Sequence, residues 1–159
     1  MTDFSFRETL NFFAAKLSIP PPEKDIQEGE AELVVDHLNI LLKPGKLAGS
    51  LVIQIILGLL LQPIREEKLK ELVTSNYLGV NTGGCKLCFN DIGVAIHLLA
   101  HTTSGTHPQE NWEWLHRLLS IAHEWSHILA SWEEFVPLSN LHKENKNNDT
   151  GTRNRQFRA

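Results

Sequence analysis

Two short stretches of this chain have the residue types and spacing of metal or thiol chemistry. His123-Glu124-Trp125-Ser126-His127 matches H-E-x-x-H. On a helix this places two imidazoles one turn apart, able to hold zinc, with the carboxylate as base for a bound water. Cys85-Lys86-Leu87-Cys88 is a C-x-x-C, the spacing of many redox and metal sites.

What each stretch can do depends on the element that carries it. The helix bearing H-E-x-x-H starts at Thr106-His107-Pro108, with Pro108 in its first turn and Glu110 near its positive end. Leu118, Ile121, Ala122, Trp125, Ile128, Leu129, Trp132, Phe135 and Val136 recur at spacings of three and four. They fall within an arc of about 140°. His116, His123 and His127 lie roughly opposite, on the face expected to meet solvent. A catalytic zinc helix lines a cleft and needs a third ligand; Glu133 or His116 could be nominated, but neither comes with a metalloprotease context. The histidines therefore read as a polar helix face. Trp112 projects away from the apolar arc as a candidate exposed aromatic, and Pro137 stops the helix.

Cys85 to Phe89 alternates as a half-buried strand does. Residues three apart on a strand point to opposite faces, so the two thiols do not converge on one metal. They read as small hydrophobes. There is no phosphate-binding glycine loop, no G-x-S-x-G and no pair of carboxylates at a catalytic spacing. No catalytic residue, resident metal or cofactor is expected.

The remaining elements follow from periodicity. Phe6, Leu10, Phe13 and Leu17 mark one face of a helix over about residues 3–17, with Asp3 as its cap. Pro20-Pro21-Pro22 ends it. Glu30 to Asp36 and Leu38 to Leu42 read as strands joined near Asp36-His37. Lys43-Pro44-Gly45 turns the chain into a third strand, Ser50 to Leu57, apolar on both faces and so central. Pro63 suits the first turn of a second helix, whose apolar positions are Leu69, Leu72, Val73 and Tyr77. Gly79 follows where a left-handed cap belongs, and Thr82-Gly83-Gly84 reverses the chain. Asn90 to Gly93 then joins the cysteine strand to another strand, Val94 to Leu99, as a hairpin. The order is α-β-β-β-α-β-β-α. Helices share a core with an antiparallel sheet, which is the α+β class.

Bulk properties narrow the function. A chain of 159 residues suits one domain with a substantial core. Residues 1–137 read as that domain and 138–159 as a polar, Asn-rich tail expected to be mobile. The formal charge is −4, but the tail sets five Lys or Arg against Glu144 and Asp149, which leaves the body at −7. An acidic body argues against nucleic acid as a partner. Two cysteines suit a reducing compartment. The N-terminus lacks the pattern of a signal peptide, and the most apolar run, Leu51 to Leu61, is too short to span a bilayer, so no membrane insertion is expected.

Asn76-Tyr77-Leu78-Gly79, then Thr82-Gly83-Gly84, a strand, Asn90-Asp91 and a second strand together resemble the second half of class I type III secretion chaperones of the Tir-chaperone (CesT-like) family. In that family a helix ends in a similar aromatic-Leu-Gly. A Gly-Gly turn, a hairpin and a long last helix follow, the last often carrying a Glu-Trp like Glu124-Trp125. The resemblance spans roughly residues 3–136 and is strongest from Leu69 to Trp132. The triple proline, the histidine-rich last helix and the tail depart from it.

The resemblance implies a homodimer in the bacterial cytosol, without catalysis, that holds the N-terminal segment of a secreted effector extended and export-competent. Secretion-apparatus components are further possible partners. On that basis Phe4, Phe12, Leu33, Val35, Leu38, Ile40 and Leu47 are groove candidates, with strand alternation dividing some of them into the core. Leu69, Leu72, Val73 and Tyr77 are candidates shared between core and dimer contact. Two other readings stand beside this one: a small zinc peptidase using His123, Glu124 and His127, and a non-catalytic adaptor or regulator of a secretion system.

Overall fold

The computed structural model describes residues 6–22, 29–47, 49–79, 82–90, 95–102 and 107–138. Phe4 and the capping Asp3 lie outside these, as does the tail beyond Leu138.

The first helix, α1 (Phe6–Leu17), buries Leu10 and Phe13 completely, as their spacing requires. It ends before the prolines. Ser18 takes a left-handed conformation (φ 55°). The Ile19 amide donates back to the Ala14 carbonyl at 3.0 Å, closing the last turn.

β1 (Ala31–Val35) and β2 (Leu38–Pro44) form a hairpin through Asp36 and His37, whose φ values of 47° and 69° make a two-residue turn matched to the strand twist. β3 (Leu51–Leu60) continues three residues beyond its expected end. α2 spans Glu66–Ser75. Pro63 precedes it instead of lying in its first turn, and Glu66 and Glu67 occupy the positive end. A short turn of 3₁₀ helix, Tyr77–Gly79, closes on Gly79 with φ 65°, a conformation a side chain would strain. β4 (Lys86–Phe89) and β5 (Ala95–His101) follow, then α3 (Pro108–Ala130) with His107 as its cap residue.

The last helix stops six residues before the end of its expected apolar run. Phe135 and Val136 belong to a short sixth strand, β6 (Phe135–Pro137). It pairs antiparallel with Gly58, Leu59 and Leu60, the part of β3 that extends past β2. Phe135 and Val136 fit helical spacing, but the side of β3 that β2 leaves open offers their backbone a ladder.

The sheet order is β1-β2-β3-β5-β4, all antiparallel, with β6 beside the end of β3. One row across the sheet, Leu33, Ile40, Ile55, Leu98 and Leu87, points into the core. Leu10 and Phe13 of α1 and Leu115, Leu118 and Leu129 of α3 join it there. Trp112, expected to be exposed, is half-buried. Its ring lies 6.0 Å from that of Phe13, because α1 packs along that flank of α3. Arg65 ahead of α2 bonds through Nε to the covered carboxylate of Glu134, and that bond holds the Glu134 carboxyl below the usual carboxylate range.

Candidate partner-binding surface

The two chemical motifs sit where their elements put them. His116, Glu124 and His127 are exposed on α3. His123 is half exposed, and its Nε2 lies 3.9 Å from an Asp36 carboxylate oxygen on the β1–β2 turn. No group of three metal-ligating side chains converges among the described residues. Cys85 is buried and its thiol is pushed up to about 11 by that burial; Cys88 is half-buried and also raised. The Cys88 Sγ faces the His97 carbonyl oxygen at 3.8 Å. Thiols so held are poor nucleophiles, because the thiolate is the reactive form.

The hairpin β1–β2 sorts its residues differently from the groove expectation. Leu33, Leu38 and Ile40 are 3%, 5% and 0% exposed and belong to the core. The reason is register. Glu32, Asn39 and Lys43 need water, and they share the opposite face with Val34 and Leu41. Val34, not among the groove candidates, is therefore the exposed apolar residue of β1, at 55%. The charge of Glu32 in the sequence Ala-Glu-Leu-Val-Val is the signal that marks it. Val35 is half-buried against the core. Phe12 is also half-buried on α1, with the Lys16 ammonium 5.4 Å from its ring centre. Leu47 is open to solvent beside a cleft of about 220 Å³ formed with Phe6, Thr9, Ser50 and Leu51.

β1 is an edge strand: it pairs with β2 and meets no other strand among the described residues. The two-residue turn makes Val35 and Leu38 a hydrogen-bonded pair, so Glu32 and Val34 aim their N–H and C=O groups away from β2. That edge can accept an added strand.

The second face of the sheet is only partly covered. Leu41, Val52, Gln54, Ile56 and Leu99 are half-buried there. The Gln54 amide nitrogen bonds His97 Nδ1 on the same face. His97 itself is buried, its Nε2 has no hydrogen-bond partner among the described residues, and burial holds its pKa below the ordinary value.

On α2 the four interface candidates divide. Leu72 is 4% exposed and purely core. Leu69, Val73 and Tyr77 are all exposed, in a stripe at spacings of four along α2 and the turn after it. Leu72 is separated because it sits on the flank of α2 that joins the core beside β4. A groove of about 760 Å³ separates α2 from α3, lined by Glu67, Glu71, Lys70, Glu124 and Ile128.

No protein-family model matches this chain, and no curated protein matches it by sequence. Solved structures do resemble it. A chain of the HopA1-SchA chaperone-effector complex superposes with a TM-score of 0.54 at 16% identity, covering 77% of this chain and 90% of that one. A chain of the ExsC-ExsE complex superposes with a TM-score of 0.60 at 20% identity, covering 77% of this chain and 92% of that one. At these identities the likeness is one of fold: an α+β chain with an antiparallel sheet packed by helices. No helix among the described residues is long and apolar enough to cross a membrane.

Proposed function

We propose that this chain is a type III secretion chaperone of the Tir-chaperone (CesT-like) kind. It binds the N-terminal segment of a secreted effector in the bacterial cytosol and works as a homodimer without catalysis. The observation that carries the reading is the open β1 edge, with Val34 beside it, in a fold shared with a chain from a chaperone-effector complex. An edge strand supplies backbone hydrogen bonds to any extended segment, and apolar side chains beside it add selectivity. Holding a client in its unfolded form needs no energy source, only preferential binding of that form. Phe12 and Leu47 remain groove positions under this reading, joined by Val34. The stripe Leu69, Val73 and Tyr77 supports α2 as the contact with a second copy, since an exposed apolar patch on a helix marks an interaction surface.

The test is affinity capture of the tagged chain from its host, with mass spectrometry on whatever co-elutes in stoichiometric amount. The expected result is a secreted protein whose retention is lost when its N-terminal segment is deleted. Retention should also fall when Phe12→Asp is introduced into the folded chaperone. Capture of a secretion-apparatus component alone would replace this reading with that of an adaptor.

A further inference from the structure

The two margins of the sheet are built differently. At β1 the outward backbone groups face no strand among the described residues. At β4 the outward groups of Cys85 and Leu87 are already taken by the chain's own residues. The Asn76 side chain donates through Nδ2 to the Leu87 carbonyl at 2.8 Å and accepts from the Leu87 amide at Oδ1, also at 2.8 Å. Two residues earlier the Thr82 hydroxyl donates to the Cys85 carbonyl at 2.6 Å, and the Thr82 carbonyl accepts from the Cys85 amide at 3.0 Å. Asn76 thus occupies the place a neighbouring strand would take at Leu87, and Thr82 extends the closure to Cys85 just ahead of β4.

That closure stands next to the surface most prone to bring copies together. Asn76 follows the last residue of α2, and Tyr77 of the apolar stripe is its neighbour in sequence. Two copies meeting through Leu69, Val73 and Tyr77 would bring their β4 margins close. An open β4 edge is self-complementary about a two-fold axis and invites sheet-to-sheet joining. We propose that Asn76, with Thr82, guards the β4 edge against pairing with a second copy, so that copies of this chain associate here through α2 side chains alone. The inference rests on the homodimer reading only for its second half; the edge guard can be tested whatever the native assembly proves to be.

The experiment uses the full chain and the variants Asn76→Ala, Asn76→Asp and Thr82→Val. Leu87 amide hydrogen exchange reports the edge, and light scattering over a range of concentrations reports association. Removing the acceptor at position 76 is expected to speed Leu87 exchange about tenfold, the loss of one protecting hydrogen bond. Association beyond the wild-type mass should accompany it. Asn76→Asp keeps the acceptor but not the donor and should fall between, which gives a reading if the alanine variant unfolds. Unchanged Leu87 exchange would show that Asn76 does not close the edge. Faster exchange with unchanged mass would show that closure does not govern association. Either result overturns the proposal. A monomeric wild type whose Asn76→Ala variant associates would remove the dimer reading and leave the edge guard standing.

Discussion

The ring of Phe135 lies over Gly58. A Cβ at Gly58 would come within 2.3 Å of Phe135 Cζ and equally close to the carbonyl oxygen of Val136. The missing side chain is what lets β6 lie against β3 and turns the end of the α3 segment into a strand. Gly58→Ala should therefore push β6 off the sheet. The expected cost is about 2 kcal/mol, typical of overpacking, read as a lower urea midpoint with an unchanged slope.

Ile40, a groove candidate by sequence, is wholly buried. Ile40→Ala should cost about 2–5 kcal/mol of stability by leaving a cavity. Val34→Ala, one strand away on the open face, should change stability by no more than about 0.5 kcal/mol. Equal losses from the two, measured by chemical denaturation, would contradict the register described above.

His97 makes stability depend on pH. Burial holds its folded pKa below the ordinary value, so the unfolded chain binds the proton first. Its contribution is fully present above about pH 6.5, the ordinary histidine value. It declines as pH falls from there through the lowered folded value. His97→Gln should flatten the stability profile in that window, measured by urea denaturation at several pH values, while leaving it unchanged near pH 8.

Val73 is 63% exposed in the middle of the α2 stripe. Val73→Glu should dissociate the proposed dimer without unfolding the chain, halving the mass seen by light scattering while the far-ultraviolet dichroism holds. Leu72→Glu, four hundredths exposed and facing the core, should instead unfold it. A Val73→Glu variant that keeps the mass of the wild type would move the dimer contact elsewhere.

Much of the architecture is legible in the residues alone. The spacing Phe6, Leu10, Phe13, Leu17 makes a helix because side chains three and four apart share a face. Gly79 and the Asp36-His37 turn mark reversals because few residues tolerate positive φ. The histidines of α3 point to solvent for the same reason that its leucines do not. These are local rules, and the order of helices and strands follows from them.

Only the tertiary structure settled what covers each face and which backbone finds which partner. Alternation groups Leu33 with Val35 and Glu32 with Val34, but the register with β2 and the packing of α1 and α3 put the first pair toward the core. Trp112 left the solvent because α1 lies beside it, a contact between residues 99 positions apart in the chain. β6 exists because β3 outruns β2 and Gly58 leaves room. Asn76 guards β4 because the chain reverses at Gly83 and Gly84 and returns Leu87 to it. Periodicity records which residues lie together; it does not record what the rest of the chain brings against them.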